Sequence, residues 1–334
     1  MSSLLSTYIS AAGMAAVETA LQQVCGTTDV TEITPLSGGL SAASVYKIVV
    51  HNQAYVLKTD TPSETATLSE NLTLAAAAGI APPLFYHNAA TGVSVSGFIV
   101  PQPVRTTFVP DVLVTELAKT IQAIHAIPGN KAGADLKETI DGLIAGFKQC
   151  NILSGPVVDE CFAYYEQVRN KYPWQDSDRV FSHNDLNPNN ILCDGKKIWI
   201  IDWDAAYLND RYIDLANTAN FFVHTTAQEQ LFLDTYFGQT TSDHQKARFY
   251  IMQQVCRIIY AMLMFRMAAG RRPAAYTHDQ QLEGVTLQQF IALMGSGKLV
   301  LDSYEGQFMY GKALLNEAVA QMRTPRFEAA LVSF

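Results

Sequence analysis

The densest polar cluster of the chain, residues 182–190, is followed by two short apolar runs at 191–193 and 198–201. Asp185 and Asn190 lie within the cluster, and Asp202 follows the second run, twelve residues after Asn190. A loop and a hairpin would bring these three side chains together. Oxygen ligands without cysteine favour a hard cation, and magnesium commonly binds one or two carboxylates together with phosphate oxygens and water. The spacing therefore predicts a site for a hard cation, with magnesium favoured.

A carboxylate beside such a cation can also accept or orient the proton of an attacking hydroxyl group. Asparagine and aspartate are frequent in loop turns, so the pattern H-x-D-x-x-x-x-N at 183–190 fits a structural role equally well on its own. Because Asp202 closes a second strand shortly afterwards, the chemical interpretation is the favoured one.

A second polar feature lies near the beginning of the chain. Gly38, Gly39 and Ser41 belong to a turn between two predicted strands, where backbone N–H groups can surround phosphate oxygens. Lys58 stands near the end of a later strand and is one of only two basic residues before Arg105. A Gly-Gly turn also serves ordinary hairpins and a single lysine is usually solvated, so these residues gain a role only from their order relative to the polar cluster.

Strand-like segments and one helical segment must position these residues. Turn residues separate the strand candidates, and Pro62 near the start and Gly79 past the end delimit the helix. The pattern predicts strands at 33–36, 44–50, 54–59, 83–86 and 93–100, and a helix at 63–78.

From Pro110 onward the sequence changes to long amphipathic helices, interrupted by the polar loops and apolar runs of 181–204. The predicted helices include 111–126, 135–150, 157–172 and 249–269, and helices continue from 213 to the end. We therefore predict an α+β protein in which a β-rich part is followed by a mainly helical part, with the boundary near 101–105.

Composition narrows the function further. Lys plus Arg number 23 and Asp plus Glu number 31, a formal net charge of −8 without a basic run, so a nucleic-acid partner is not expected. The five cysteines are scattered and show no metal-ligand spacing, which favours a reducing, cytoplasmic location. The apolar segment 3–24 has no basic start and contains Glu18, and the uncharged segment 71–104 is broken by glycine and proline. We expect neither a signal peptide nor a membrane span.

The order of these features is that of a kinase: a glycine-containing turn, a strand lysine, a helix with an acid, H-x-D-x-x-x-x-N and a later aspartate. The sequence resembles the aminoglycoside phosphotransferase and choline/ethanolamine kinase superfamily, whose members are protein-kinase-like enzymes acting on small molecules. The resemblance lies in ITPLSGGLSAASVYKIVVHNQAYVLK (33–58), GIAPPLFY (79–86), the segment 117–128 ending IHAIP, and HNDLNPNNIL with IIDWDAAYLNDRYIDLA within 181–220. It implies a two-lobed fold, with a β-rich N-lobe at 1–102 and a mainly helical C-lobe at 103–334.

The resemblance also implies a role for each matching residue, with ATP and Mg²⁺ as cofactors. Asp185 would be the catalytic base, Asn190 and Asp202 the magnesium ligands, and Lys58 the partner of the nucleotide phosphates. Glu70, or else Glu64, would pair with Lys58. The glycine turn would cover the phosphates, and residues 97–101 would form the hinge that binds adenine, with Phe98 and Ile99 at its centre. His183 is expected to orient the loop.

The acceptor is expected to be a small molecule, because only twelve residues separate Asp202 from Asp214 and leave no room for a protein-kinase activation loop. Asp204 resembles a choline-kinase position, although residue 205 is alanine where choline kinases usually carry tyrosine. Tyr260 is a candidate ring for a cationic acceptor. The leading interpretation is a choline- or ethanolamine-like acceptor. Aminoglycoside or thiamine kinase, or a catalytically silent kinase fold that binds a nucleotide or partner protein, are the alternatives.

Overall fold

The computed structural model describes residues 4–36, 43–61, 67–129, 133–175, 178–274 and 281–334. Antiparallel sheet dominates the N-terminal part and helices dominate the remainder, which confirms the predicted α+β class. The chain divides into two compact units. Unit 1 comprises Met1–Lys131, Val180–Leu208 and Phe221–Tyr236, and unit 2 comprises Ala132–Arg179, Asn209–Asn220 and Phe237–Phe334. The lobe boundary at residue 102 stays a prediction.

Unit 1 contains a five-stranded antiparallel sheet. Its strands are β1 (Glu32–Pro35), β2 (Ser44–Val50), β3 (Gln53–Thr59), β4 (Leu84–Asn88) and β5 (Val93–Gly97). They are ordered β1-β2-β3-β5-β4 across the sheet. All five segments coincide with predicted strands, with ends that differ by up to three residues.

A two-residue turn fixes the register between β2 and β3. His51 and Asn52 have φ angles of 48° and 64°, the left-handed conformation whose twist matches an antiparallel hairpin. Val50 pairs with Gln53, and the same register places Val45 opposite Lys58.

The two faces of this sheet differ in chemistry. One face is apolar and packs with helix α1 (Ala11–Cys25) in a core that contains Ile48, Leu57 and Val95. On the other face, Lys58 lies opposite Ser94, and Ser94 lies opposite His87. Residues directly opposite each other in antiparallel strands point to the same face, so these three polar side chains form one row.

Three further helices and two short hairpin strands also belong to unit 1. They are α2 (Thr67–Ala77), α3 (Val104–Thr107), α4 (Pro110–His125), β7 (Ile191–Cys193) and β8 (Ile198–Ile200). The strands β6 (Arg179–Ser182) and β9 (Tyr207–Asp210) pair with each other in a separate two-stranded sheet. The helices α7 (Tyr212–Phe222) and α8 (Thr226–Phe237) come next along the chain.

Unit 2 is helical. The helices that lie wholly within unit 2 are α5 (Leu136–Cys150), α6 (Pro156–Lys171), α9 (Asp243–Gly270), α10 (Leu287–Gly295), α11 (Tyr304–Met322) and α12 (Pro325–Val332). The 28-residue α9 begins with a capping box between Ser242 and Gln245 and packs along α11. No helix among the described residues is long and apolar enough to cross a membrane.

A buried ion pair lies within unit 2. Arg248, only 2% exposed, places a guanidinium nitrogen 2.8 Å from a carboxylate oxygen of Asp210. The hydroxyl of Tyr172 donates to the same oxygen at 2.7 Å. The guanidinium also lies over the rings of Tyr172 and Tyr212, at 5.3 and 4.7 Å from the ring centres. Two hydrogen bonds and two aromatic faces thus replace the water that these charges lose on burial.

Candidate active site

His183 anchors the loop that carries the predicted catalytic residue. Its side chain is fully buried beneath Trp203, with the two rings at a steep angle and their centres 4.8 Å apart. Its Nε2 lies 3.0 Å from the carbonyl oxygen of Ile201, and its Nδ1 accepts the backbone N–H of Asp185 at 3.3 Å. Nε2 therefore carries the proton. Because both nitrogens contact backbone groups, His183 orients the loop.

The Asp185 carboxylate is held by two asparagine amides. Nδ2 of Asn187 donates to Oδ1 at 3.0 Å, and Nδ2 of Asn190 donates to Oδ2 at 3.1 Å. The Asn190 amide also donates to the backbone carbonyl of Asp185 at 2.9 Å. Asp185 itself is half-buried, whereas Asn190 is 6% exposed. The structure thus brings together the first two members of the predicted cluster and fixes the rotation of the Asp185 carboxyl group.

Asp202 follows β8 in a left-handed conformation with φ of 65°. The residue is exposed, yet the protein atoms and charges around its carboxyl group alter its ionisation. Loss of water around the carboxyl group raises the pKa of Asp202, and the charges of Asp204 and Asp185 add to the rise against the opposing charge of Lys58. Asp202 therefore lies among like charges that a bound cation would neutralise.

Lys58 faces the same acidic segment. Its ammonium group lies 2.9 Å from Oδ2 of Asp204 and 3.8 Å from a carboxylate oxygen of Asp60. Burial by itself would lower the pKa of Lys58, but the hydrogen bond and charge of Asp204, with the charges of Asp202 and Asp60, raise it above its usual value. Lys58 is therefore a fixed positive charge in a negative environment.

The structure does not bring Glu70 to Lys58. Glu70 is exposed on α2 and contacts no cation among the described residues, and Glu64 lies outside those residues. The physical reason is helix rotation. Successive residues are about 100° apart around a helix, and the inward position on α2 is taken by Asn71, which is 2% exposed.

The remaining predicted site residues lie either outside the described residues or at a distance from the Asp185 loop along the chain. Gly38, Gly39 and Ser41 lie outside the described residues, so the glycine turn stays a prediction. Phe98 and Ile99 follow β5 without regular structure, and the ammonium of Lys47 lies 5.4 Å from the Phe98 ring centre. Tyr260 lies on α9 in unit 2 and is half-buried. The roles of these residues stay predictions.

The donor set of unit 1 fits magnesium. Asp202 offers an exposed carboxylate, and Asn190 uses its amide nitrogen toward Asp185, which leaves its amide oxygen as a donor. In the described part of the chain no group of three or more histidine, cysteine or acidic side chains forms a metal cage. A carboxylate and an amide oxygen without a cage are typical of magnesium, which keeps water and binds substrate phosphates.

Two asparagines in this region were missed by sequence reasoning. Asn71 donates from Nδ2 to the carbonyl of Ala206 at 2.7 Å, and Asn184 donates to the carbonyl of Ala205 at 2.8 Å. Asn184 also has a φ of 67°, a conformation that asparagine adopts more readily than most residues. The only sequence signal for a role of Asn184 was its place between His183 and Asp185. Asn71 carried none.

Comparisons with known proteins bear on the family and the fold of the chain. Over 76 residues the chain is 33% identical to Protein LicA of Haemophilus influenzae, a match that covers 23% of this chain and 28% of LicA. The chain thus spans well under two thirds of that relative.

Among solved structures, a choline/ethanolamine kinase family protein from Mesorhizobium loti matches with a TM-score of 0.66 and 17% identity, covering 96% of this chain and 98% of the other. Spectinomycin phosphotransferase APH(9)-Ia, solved with ADP and spectinomycin, matches with a TM-score of 0.55 and 14% identity, covering 89% and 98%. These likenesses confirm the predicted kinase-like fold.

A family model described as Phosphotransferase enzyme family matches residues 32–250, which include the whole of the cluster around Asp185 and Asp202. This match covers more than half of the chain and confirms the prediction of a phosphotransferase. The chain belongs to the phosphotransferase enzyme family.

Proposed function

We propose that this chain uses ATP and Mg²⁺ to phosphorylate a hydroxyl group of a small cationic molecule of the choline or ethanolamine type. The observation that carries the proposal is the Asp185 carboxylate, each of whose oxygens accepts an amide hydrogen bond from the loop of a phosphotransferase. In the reaction, the acceptor oxygen forms a bond to the γ-phosphorus and the bond to the β–γ bridging oxygen breaks. ADP leaves with that electron pair, and Asp185 accepts the hydroxyl proton.

Asp185 contributes position as well as basicity. A carboxylate that is free to rotate would present its lone pairs to the acceptor in many directions, whereas Asn187 and Asn190 limit it to one. Positioning of this kind lowers the entropic cost of reaching the transition state. Asp185 thereby selects acceptors whose hydroxyl group reaches the proton-accepting lone pair.

Asn190 and Asp202 would hold the magnesium ion, which when bound neutralises charge on the β- and γ-phosphate oxygens. Lys58 supplies a permanent positive charge for the phosphates, since its pKa is raised. Binding a nucleotide requires Lys58 to exchange Asp204 for a phosphate oxygen, or to share its donors between them.

The excess of acidic groups supports a cationic acceptor. Asp60, Asp202 and Asp204 surround the single ammonium of Lys58, and Asp185 adds a further carboxylate nearby. The positive charges of a magnesium ion and of Lys58 would be balanced by the negative charges of the nucleotide phosphates. The carboxylates would therefore keep a negative electrostatic potential at the place where the acceptor binds. A positively charged amino alcohol is attracted by that potential, whereas a neutral sugar is not.

One fold likeness supports the amino alcohol as the first candidate. The choline/ethanolamine kinase family protein from Mesorhizobium loti matches with a TM-score of 0.66, against 0.55 for the spectinomycin enzyme. Aminoglycosides are also cationic and form the second candidate class, with thiamine a third. The intact set of Lys58, Asp185, Asn190 and Asp202 argues against a silent fold.

Steady-state kinetics on ethanolamine, its N-methylated series, choline, spectinomycin and thiamine tests the proposal. Because Ala205 provides no ring, primary and partly methylated amines are expected to be phosphorylated at least as efficiently as choline. Asp185→Asn serves as the inactive control. Activity restricted to neutral sugars, or no magnesium-dependent consumption of ATP with any acceptor, would overturn it.

A further inference from the structure

The short turn after Asp202 is held through its backbone carbonyl groups. Asn71 donates to the carbonyls of Ala206 and Trp203, at 2.7 and 3.5 Å, and Asn184 donates to that of Ala205 at 2.8 Å. The two asparagines come from different parts of unit 1, one from α2 and one from the loop that carries Asp185. Three carbonyls of the turn 203–206 therefore contact amide donors.

The Asp202 carboxylate depends on this turn for its direction. No hydrogen bond from the residues that the structure describes reaches it, and its surroundings act on it only through burial and charge. Its backbone is in the left-handed conformation, with φ of 65°. The backbone of the turn sets the position of the Asp202 Cα and the space that its carboxylate can reach, so the groups that fix the turn also restrict where the carboxylate can lie.

Asn71 is the buried member of the pair. It is 2% exposed, and a buried amide that lost its carbonyl partner would leave polar atoms unsatisfied at a substantial cost in free energy. The neighbouring Glu70 is exposed and makes no ion pair with Lys58. Among the described residues, α2 thus reaches the segment 202–206 through the Asn71 amide rather than through a Glu70–Lys58 ion pair.

We propose that Asn71 is a positioning residue for the magnesium site, acting through the backbone of the turn 203–206 on the direction of Asp202. The inference rests on the proposed function in one respect, that Asp202 binds the metal. Asn71 touches neither substrate nor metal in this scheme. It sets the metal ligand in place, as outer hydrogen-bond partners do for ligands in other metal sites.

Asn71→Asp is the most direct test, because it keeps the shape of the side chain and replaces the amide donor with a carboxylate oxygen that cannot donate to a carbonyl. We expect the magnesium concentration that half-saturates nucleotide binding to rise about 10-fold or more, the usual effect of losing an outer partner. Nucleotide binding without metal should change little, and excess magnesium should restore binding. Calorimetry with a non-hydrolysable ATP analogue measures all three quantities without turnover.

Asn316→Asp provides a matched control. Asn316 lies on α11 in unit 2 and donates its amide to the carbonyl of Val285 at 2.9 Å, so the substitution breaks an equivalent contact outside the proposed site. Its magnesium dependence should equal that of the wild type. Thermal unfolding establishes that each variant folds, and Asn71→Ala replaces Asn71→Asp if the latter does not.

The outcomes separate this inference from the proposed function. A folded Asn71 variant with unchanged magnesium dependence, or an equal change in the Asn316 control, overturns the positioning role. A wild-type chain that binds nucleotide without any metal dependence overturns it too. If the wild type binds Mg²⁺ with the analogue but phosphorylates no cationic acceptor, the proposed acceptor is wrong. The magnesium dependence of the Asn71 variant still tests whether Asn71 positions the metal ligand.

Discussion

The ammonium group of Lys58 lies 2.9 Å from the carboxylate of Asp204, whereas Glu70 on α2 faces solvent. The lysine predicted to bind phosphate is therefore neutralised by an acid two residues beyond the proposed metal ligand Asp202. A nucleotide phosphate must compete with Asp204 for this cation. The charge balance of the site thus depends on Asp204 more than on α2.

Substitution of Asp204 should expose this competition. Asp204→Asn removes the anion that holds Lys58, so binding of metal-free nucleotide should strengthen by about two- to fivefold, the range expected for a partly exposed ion pair. Glu70→Gln should leave the affinity for metal-free nucleotide within about twofold of the wild-type value, because substitutions of exposed residues usually have small effects. Equilibrium binding of a fluorescent ATP analogue measures both variants. Equal effects of the two substitutions would contradict the assignment.

Substitution of Asp185 should separate chemistry from binding. Asp185→Asn keeps the size of the side chain but cannot accept the hydroxyl proton, so turnover should fall about 100- to 10,000-fold. Affinity for ATP should stay within a few-fold, because proton acceptance acts in the transition state. Comparison of kcat with the dissociation constant of ATP checks both. Retained turnover would remove Asp185 from the mechanism.

Substitution of Asp202 should act on the metal instead. Asp202→Ala is expected to abolish the magnesium dependence of nucleotide binding together with phosphoryl transfer, because the ion offsets the charge of the phosphates. Calorimetric titration of ATP with and without magnesium is the measurement. Wild-type affinity for Mg-ATP in this variant would make Asp202 a turn residue without a metal role.

Local sequence patterns predicted much of the fold and the proximity of Asn190 to Asp185. Alternating strands and glycine or proline boundaries are short-range signals, and so is the spacing that brings Asn190 to Asp185. The His183 ring contacts the backbone within and beside its own loop, as expected. Each of these features depends on residues that are near in sequence or joined by a tight hairpin.

The features that sequence reasoning missed depend on distant partners. In the sequence Asn71 is only the start of an uncharged segment, and its partner Ala206 lies 135 residues away. Which face of α2 turns inward depends on packing that one sequence does not reveal, so charge alone favours Glu70. Arg248 and Asp210 likewise meet across 38 residues, with no local pattern to indicate an ion pair.

The buried pair in unit 2 gives a stability prediction. Arg248→Met should lower the free energy of unfolding by about 3–5 kcal/mol, because it leaves Asp210 buried without its cation. The double variant Arg248→Met with Asp210→Asn should recover part of that loss, since it removes the unpaired charge. Urea unfolding of the wild type, both single variants and the double variant measures the coupling. Additive effects would show that the two charges do not stabilise each other.

His87 gives a prediction about pH. Both of its ring nitrogens are buried and find no hydrogen-bond partner among the described residues. Burial, reinforced by the positive charge of Lys58 and opposed by Asp204, lowers the pKa of His87 below its usual value of 6.5. The unfolded chain then binds the proton more tightly than the folded one, so the free energy of unfolding should fall as the pH drops below that value.

His87→Leu removes this contribution and replaces an unsatisfied ring with an apolar side chain. We expect the variant to be at least as stable as the wild type near neutral pH and to gain on it as the pH falls to about 5.5, with His244→Ala as the exposed-histidine control. Urea unfolding across this range measures the difference. Parallel curves for the wild type and His87→Leu would show that the ring is protonated equally in the folded and unfolded states.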